Sequence, residues 1–141
     1  MSTLGNAIGA SASALTAERV RIEVAVSNLA NAESTRGPNG QPYRRRDVVL
    51  QSEPGPFSNA LDAASPAHVR VAAIVEDQSP FQPKYNPGHP DADAQGWVQM
   101  PNVDPAEEMV DMLSASRAYQ ANLTAVNLIR DMVQKSLELG R

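Results

Sequence analysis

Apolar side chains recur at intervals of seven residues along the first part of the chain. The stripe that they form consists of Ile8, Leu15, Ile22 and Leu29, extended by Leu4 and Ala25. Ser11 and Glu18 occupy equivalent positions and weaken it. A seven-residue apolar repeat is typical of a helix that packs against a partner helix along one side. The pattern therefore predicts one helix over residues 3–32, with a contact surface along its length.

A second stripe of the same period lies near the other end of the chain. Its first line is Met112, Tyr119, Val126 and Val133, and its second line is Met109, Leu123 and Leu137. Ser116 and Arg130 interrupt the second line. This stripe predicts a helix over residues 105–139.

The residues around this second stripe fit the ends of a helix. Asp104 is a predicted N-cap, Pro105 suits the first helical position, and Glu107 stands where a capping-box acid belongs. Gly140 is a predicted stop signal at the other end.

The middle of the chain differs from both ends because all 11 prolines lie between residues 38 and 105. A proline inside a helix costs about 3 kcal/mol, so the middle cannot hold a long helix. Its β-branched residues predict short strands at 43–50, 68–75 and 96–101. Glycine, proline and asparagine predict loops or turns at 36–42, 51–67 and 84–93.

We therefore expect a mainly α protein with a small β or irregular middle. Its long N- and C-terminal helices are predicted to pack as a coiled-coil-like core. The predicted division is a core helix within 1–35, a Pro-rich strand-and-loop region at 36–104 and a core helix within 105–141.

Composition excludes several kinds of chemistry. With 12 Lys and Arg against 16 Asp and Glu, the chain has a net charge of −4, which disfavours general phosphate binding. It contains no cysteine, so it has no disulfides, thiolate nucleophiles or zinc fingers. No apolar run approaches the ~20 residues of a membrane helix. No Lys or Arg precedes Arg19, so we expect no cleaved secretory signal.

One short motif has the residue types of a metal site. His89, Asp91 and Asp93 alternate, and an extended segment would place their side chains on one face. The alternative is a proline-bracketed turn whose aspartates accept hydrogen bonds from backbone amides. No further cluster completes a ligand shell, so we predict no metal, no cofactor and no catalytic residues. A metal-dependent hydrolase at these three residues remains the alternative.

Arg44, Arg45 and Arg46 form the only basic run. Nucleic-acid binding would require more Lys and Arg than the chain has. We therefore expect a strand edge whose guanidinium groups pair with carboxylates or face water.

The two stripes allow two interpretations, which the repeats alone favour about equally. They could bury each other in a hairpin of two helices within one chain, or they could form an assembly surface, since long exposed apolar stripes usually mark a partner.

Several segments resemble one known family. The end of the first predicted helix, VAVSNLANAEST (24–35), and residues 101–141 resemble the rod and hook axial proteins of the bacterial flagellum. Within that family, YRRRDVVL, VRVAAIVED and YNPGHPDADAQGWVQMPNVD are similar to the proximal rod proteins. The resemblance covers nearly the whole chain.

This resemblance implies a structural role without enzyme activity. Axial proteins of this family pass unfolded through the flagellar type III export apparatus without a cleaved signal. They then polymerise into the hollow rod of the basal body, which crosses the periplasm. The implied partners are other copies of the chain, the rod proteins FlgB, FlgF and FlgG, and the basal adaptor FliE. A secreted helical adaptor remains an alternative.

On this interpretation the stripes form the assembly interface. The predicted interface residues are Leu4, Ile8, Leu15, Ile22, Leu29, Met109, Met112, Tyr119, Leu123, Val126, Val133 and Leu137. Asn28 and Asn31 are also predicted interface residues, and they are expected to cap or hydrogen-bond at the end of the first helix.

Overall fold

The computed structural model describes residues 2–53 and 67–139 of the chain. In chain order its elements are α1 (Ser2–Ala30), β1 (Arg46–Glu53), β2 (His68–Glu76), β3 (Gln82–Tyr85), β4 (Trp97–Met100) and α2 (Pro105–Leu139). Two long helices therefore lie at the ends of the chain with a small β region between them, which confirms this part of the predicted fold class. Neither helix has a stretch apolar and long enough to cross a membrane, as far as the described residues show.

Helix α1 ends close to where the sequence predicted. The N–H of Asn31 bonds to the carbonyl oxygen of Ser27 at 3.1 Å, and the N–H of Ala32 then bonds to that of Leu29 at 3.3 Å. The spacing of these bonds falls from four residues to three, which is typical of a helix that tightens as it ends.

Helix α2 begins at the predicted cap. Oδ1 of Asp104 accepts a hydrogen bond from the N–H of Ala106 at 2.8 Å, and the carbonyl oxygen of Asp104 accepts one from the N–H of Glu108 at 3.1 Å. The predicted return bond from Glu107 does not form among the described residues, and Glu107 is exposed while Glu108 is buried. The capping box is therefore wrong, although the N-cap itself is confirmed. The predicted stop at Gly140 lies outside the described residues.

The strands form two separate two-stranded sheets. In the first, β1 pairs with β2. Directly before β1, the carbonyl oxygen of Arg45 accepts a hydrogen bond from the N–H of Asp77 at 2.8 Å. Since Arg45 precedes β1 and Asp77 follows β2, the two strands run antiparallel. Strand β1 continues to Glu53, three residues into the segment predicted as a loop at 51–67. The rest of that predicted loop, residues 54–66, lies outside the described residues.

In the second sheet, β3 pairs antiparallel with β4, and Tyr85 lies opposite Trp97. Sequence reasoning missed β3, because Pro83 and the turn residues that follow it disfavour a strand. Proline is tolerated there because β3 is an edge strand with a single neighbour and all four of its residues are exposed.

The chain divides into two compact units. One consists of Met1–Val20, Val49–Ala73 and Ser114–Arg141, and the other of Arg21–Val48 and Ile74–Leu113. We call them the first unit and the second unit. The predicted division at residues 35 and 104 follows chain order and stays a prediction.

The two units bury different kinds of side chain. In the first unit the buried residues include Ala17 and Ala115. There Gly9 allows a close approach, because a Cβ at this position would lie 2.8 Å from Nε2 of His68. In the second unit the buried set is partly polar and consists of Ala25, Asn28, Val98, Pro101, Asn102, Val103 and Glu108. Buried polar groups need specific partners, and those of the second unit are described next.

Candidate assembly site

Asn28, near the end of α1, has hydrogen-bond partners for its whole side chain. Its Nδ2 donates to the carbonyl oxygen of Arg46 at 2.8 Å and to Oε2 of Glu108 at 3.0 Å. Its Oδ1 accepts from the hydroxyl of Tyr43 at 2.9 Å and from the N–H of Arg46 at 3.0 Å. An amide side chain has two donor hydrogens and two acceptor lone pairs, so all four are used. Asn28 is 1% exposed, and this full set of partners offsets the cost of burying it.

Glu108 connects Asn28 to a cation. Its other oxygen, Oε1, accepts a hydrogen bond from Nε of Arg45 at 2.6 Å. Nη2 of Arg45 also donates to Oδ2 of Asp111 at 3.3 Å, and Nη1 lies 4.0 Å from Oδ2 of Asp47. The side chain of Glu108 is 2% exposed and that of Arg45 is 19% exposed. The pair is therefore shielded from water, and a buried charge that lost its partner would be costly.

The pKa of Arg45 reflects two opposing effects. Partial burial acts to lower the pKa, because burial disfavours the charged form. The hydrogen bond and charge of Glu108, with the charges of Asp47 and Asp111, outweigh burial and hold the pKa of Arg45 above its usual value. The guanidinium group is thus charged at neutral pH.

The side chain of Asn102 connects the backbone of Arg45 to the segment that follows β2. Its Oδ1 accepts the backbone N–H of Arg45 at 2.9 Å, and its Nδ2 donates to the carbonyl oxygens of Asp77 at 3.2 Å and Ser79 at 3.4 Å. The carboxylate of Asp77 accepts hydrogen bonds from the hydroxyl and the N–H of Ser79, at 2.6 and 2.8 Å. These two bonds lower the pKa of Asp77 below its usual value.

The other two arginines of the basic run are also engaged. The guanidinium of Arg44 lies 4.4 Å from the ring centroid of Phe81, and its Nη1 donates to the carbonyl oxygen of Asp77 at 3.1 Å. The guanidinium of Arg46 lies 5.7 Å from the ring centroid of Tyr43 and 4.0 Å from Oε1 of Glu76. The predicted pairing with carboxylates is therefore found for both Arg45 and Arg46, but only Arg46 lies on the strand, because β1 begins there.

We call Asn28, Tyr43, Arg45, Asn102 and Glu108 the polar cluster. It joins the end of α1, the segment before β1 and the start of α2, all within the second unit. If any member adopted a different side-chain rotamer, a hydrogen-bond donor or acceptor of the cluster would lose its partner. The cluster can therefore specify one register for these segments, which is a structural and not a catalytic property.

Asn31 has a different role from Asn28. Its Nδ2 donates to the carbonyl oxygen of Ser27 at 2.8 Å, and its Oδ1 accepts from the hydroxyl of Ser34 at 3.2 Å. Asn31 therefore hydrogen-bonds at the helix end, as predicted, whereas Asn28 reaches residues far away in the sequence.

The motif at residues 89–93 folds as a turn. Oδ1 of Asp93 accepts from the N–H groups of Gln95 at 2.9 Å and Trp97 at 2.8 Å, and Nδ1 of His89 accepts from the N–H of Asp91 at 3.1 Å. Oδ2 of Asp91 accepts the hydroxyl of Thr35 at 2.8 Å. In the part of the chain that the structure describes, no group of three acidic or histidine side chains could hold a metal ion. Asp93 therefore matches the alternative of an aspartate that accepts backbone amides, whereas Asp91 bonds to the side chains of Thr35 and Arg36.

The predicted stripe of α2 divides into two sets. Met112, Tyr119, Val126 and Val133 of its first line are half-buried within their own units. Met109, Leu123 and Leu137 of its second line are 50%, 45% and 68% exposed. Another line of buried or half-buried residues takes the place of the second line on the covered face. These residues are also spaced by seven and are Glu108, Ala115, Asn122 and Ile129.

The stripe of α1 is less exposed. Ile8 and Leu15 in the first unit, and Ile22 and Leu29 in the second, are half-buried, while Leu4 is 38% exposed. Each of these residues retains some accessible apolar surface.

Sequence reasoning missed most of the polar cluster. Tyr43, Arg45, Asn102 and Glu108 were not predicted as site residues. Glu108 lies seven residues before Ala115 on the covered line of α2, but a charged residue in that line gives no apolar signal in the sequence. Nothing in the local sequence marks Tyr43 or Asn102. The exposed apolar residues Val110, Leu113, Leu128, Met132 and Leu139 of α2 were also missed.

Comparison with known families matches both ends of the chain. Residues 8–38 match the family described as "Flagella basal body rod protein". Residues 94–139 match the family described as "Flagellar basal body rod FlgEFG protein C-terminal". Asn28 lies in the first match and Glu108 in the second, so the hydrogen bond between them connects the two matched segments.

Curated relatives match over nearly their full length. The flagellar basal-body rod protein FlgC of Bacillus subtilis (strain 168) is 47% identical, with 99% of each chain covered. That of Escherichia coli O6:H1 is 50% identical, with 92% of each covered, and that of Borreliella burgdorferi is 42% identical, with 96% of this chain and 97% of the relative covered. The chain belongs to the flagellar basal-body rod protein family, which confirms the resemblance seen in the sequence.

Proposed function

We propose that this chain is a structural subunit of the flagellar basal-body rod that polymerises through its two terminal helices. The observation that carries this proposal is the similarity to proteins named FlgC, which extends over 92–99% of the chain in the relatives described above. Both terminal segments also match rod-protein families.

The surface of α2 supports assembly. Within the first unit, Leu123, Leu128, Met132, Leu137 and Leu139 are between 45% and 89% exposed. Soluble monomers rarely expose so many large apolar side chains on one element, and such surfaces usually mark a protein interface. Burying them on neighbouring subunits would return roughly 25 cal/mol for each Å² removed from water.

The periodicity of the stripes supports coiled-coil-like packing. The line Met112, Tyr119, Val126 and Val133 and the line Ile8, Leu15, Ile22 and Leu29 both repeat every seven residues. A seven-residue repeat keeps one seam facing a partner helix. We propose that both lines lie in an inner layer of helices, which corresponds to core segments within 1–35 and 105–141 and an outer region at 36–104. Head-to-tail contacts that do not close into a ring build an open helical filament, which is the form of a rod.

Family membership supports assembly with other rod proteins. At the finer level we propose FlgB, FlgF, FlgG and the basal adaptor FliE as neighbours, and the type III apparatus as the export route. We further propose that the rod lies in the periplasm and that no signal peptide is cleaved. Pairwise cross-linking from positions on α2 in isolated basal bodies tests the neighbours, and the N-terminal sequence of the assembled subunit tests cleavage.

We propose no enzyme activity. A hydrolase at His89, Asp91 and Asp93 has no support, because the carboxylates of the two aspartates accept hydrogen bonds within the turn and from Thr35. The secreted adaptor has no support in the comparisons. Metal analysis of the purified chain tests the hydrolase, since stoichiometric metal would revive it.

The direct test of assembly is Leu123→Asp. Leu123 is 45% exposed within its unit, so a carboxylate there is hydrated in the subunit but would be buried without a partner in an interface. We expect normal synthesis, absent rods and loss of motility. Gln120→Asp is the matched control, because it places the same charge one turn away, at an exposed position whose side chain makes no hydrogen bond within the described part of the chain. Motile cells with normal rods in the Leu123→Asp strain would contradict the proposal.

A further inference from the structure

A cavity in the second unit has a lining unlike that of the polar cluster. Its volume is about 520 Å³, which lies within the range of ~300–1,000 Å³ typical of small-molecule sites. Its walls include two aromatic rings, Phe81 and Trp97, and two amide side chains, Gln41 and Gln99. Neither the stripes nor the polar cluster contributes to it.

Trp97 is held firmly although its side chain is far from buried. Its backbone N–H donates to Oδ1 of Asp93 at 2.8 Å, and its ring meets Tyr85 edge to face with centroids 5.4 Å apart. Gly96 adopts a φ of +86°, which turns the chain into β4 just before the tryptophan. Even so, Trp97 is 44% exposed. The exposed indole keeps apolar surface in contact with water. Because its position is already restricted, it loses little conformational entropy when a ligand covers that surface.

Polar groups of the cavity are available to a ligand. The amides of Gln41 and Gln99 and the indole N–H of Trp97 have no hydrogen-bond partner among residues 2–53 and 67–139. Gln99 stands two residues after Trp97 on β4, so the two side chains point to the same face of the strand. Each amide offers both donors and acceptors, as a ligand rich in hydroxyl or acetamido groups requires.

The charges around the cavity disfavour an anion. Arg36 pairs with Asp91, with Nε 3.5 Å from Oδ1, and Asp93 adds a further negative charge. The formal charge of the lining is therefore −1, from one arginine and two aspartates. With Arg44 stacked on Phe81 the surroundings carry no excess positive charge for a phosphate or a free carboxylate, whereas the uncharged amides and the indole suit a neutral polar ring.

We propose that this cavity binds a neutral sugar chain, with the apolar face of one pyranose ring on Trp97 and its hydroxyl or acetamido groups bonded to Gln41 and Gln99. Sugar rings combine an apolar C–H face with a polar rim, and the cavity combines an aromatic ring with unpaired amides. This inference does not depend on the proposed assembly function.

Trp97 is the only tryptophan in the chain, so its fluorescence reports on this cavity directly. The experiment titrates the purified full-length chain with chitotetraose, an N-acetylated oligosaccharide, and with maltotetraose, which lacks acetamido groups. We expect a saturable change in Trp97 emission with one or both. The stronger ligand distinguishes acetamido recognition from hydroxyl recognition.

Variants separate specific binding from a general effect. Gln41→Ala and Gln99→Ala should each weaken binding about 3- to 10-fold, as expected for one lost neutral hydrogen bond. Gln95→Ala is the matched control, because it removes an exposed amide of the neighbouring turn that does not line the cavity. Its affinity should be unchanged.

Three results would overturn the proposal. One is the absence of any saturable change in emission with either sugar. Another is equal loss of affinity in the Gln95→Ala control. The third is that only a lysine- and arginine-containing peptide binds, with an affinity that falls steeply between 0.05 and 0.5 M salt, since binding of a neutral sugar is insensitive to ionic strength.

Discussion

Nδ2 of Asn28 donates a hydrogen bond of 3.0 Å to Oε2 of Glu108, a residue 80 positions further along the chain. Asn28 belongs to the last turns of α1 and Glu108 to the first turn of α2. Because both side chains are almost fully buried, this bond fixes how the second unit joins the two helices.

Asn28→Ala should strongly destabilise the second unit. The change removes four hydrogen bonds. It leaves Glu108 and the backbone of Arg46 with unpaired groups, and the hydroxyl of Tyr43 with only Ser27 Oγ at 3.4 Å. The expected loss is about 2–5 kcal/mol in the free energy of unfolding. Urea unfolding followed by Trp97 fluorescence measures it, because Trp97 lies in the second unit.

The control for Asn28 is Asn31→Ala. Asn31 bonds only to Ser27 and Ser34, and water can replace both contacts, since all three residues are partly accessible. Its replacement should cost about 1 kcal/mol. Similar losses in the free energy of unfolding for the two variants would show that the burial of Asn28 does not increase the cost of removing its hydrogen bonds.

Glu108→Gln keeps the shape of the side chain but removes the negative charge opposite Arg45. The guanidinium of Arg45 would then remain partly buried with only Asp47 and Asp111 nearby. We expect a loss of about 2–4 kcal/mol, since breaking a buried ion pair leaves an uncompensated charge. Glu107→Gln, at the neighbouring exposed position, should change stability by no more than about 0.5 kcal/mol.

A double-mutant cycle isolates the Arg45–Glu108 interaction. Arg45→Met combined with Glu108→Gln should be less destabilised than the sum of the single changes, because the double variant buries no unpaired charge. Strict additivity would mean that the two side chains act independently.

These residues also show where sequence reasoning ends. Periodicity located both helices and the N-cap at Asp104, because helical repeats and caps depend on neighbours in the chain. It did not show which line of the α2 stripe is covered within the subunit, and Met109 and Leu123 of the second line are exposed within their units. The reason is that the small or polar residues Glu108, Ala115 and Asn122 occupy the covered line instead. A hydrophobic count assigns such residues to the surface, and only tertiary contacts show that Glu108 is satisfied by Asn28 and Arg45.

Strand β3 shows the same limit for a different reason. It consists of Gln82, Pro83, Lys84 and Tyr85, which have little strand propensity together. Its pairing with β4 depends on the turn between them, in which Asp93 accepts the N–H groups of Gln95 and Trp97. Strand propensity depends only on the residues of the segment itself, so it does not predict a strand whose pairing depends on the turn and on β4.

Asp77 should contribute to the acid sensitivity of the second unit. The hydrogen bonds from Ser79 lower the pKa of Asp77 in the folded protein relative to the unfolded chain. The unfolded state therefore takes up a proton first as the pH falls. The stabilisation is fully present above the usual pKa of 3.8 and is lost as the pH falls through the lower folded value.

Asp77→Asn tests this pH dependence. The variant should lose stability at neutral pH, and the decline of its urea midpoint below about pH 4 should be shallower than in the original chain. Ser79→Ala removes only the hydroxyl bond and should lie between the two. A decline of unchanged steepness in Asp77→Asn would assign the acid sensitivity to other carboxylates.

Gly96→Ala should be more harmful than Gly40→Ala, although both glycines have positive φ values, of +86° and +72°. Alanine at either position adopts an unfavourable backbone conformation, at a cost of roughly 1 kcal/mol. Only at Gly96 does the new methyl group also meet atoms at 3.0 Å, namely Cβ of Pro87 and Cε2 of Tyr85, whereas nothing lies within 4 Å at Gly40. Overpacking of this kind adds about 1–3 kcal/mol.

Urea unfolding of the two variants measures the difference in stability. The emission of Trp97 should shift in Gly96→Ala alone, because Tyr85 contacts the indole ring. Equal losses in both variants would mean that the turn accommodates a side chain at residue 96 and that Trp97 is not rigidly held.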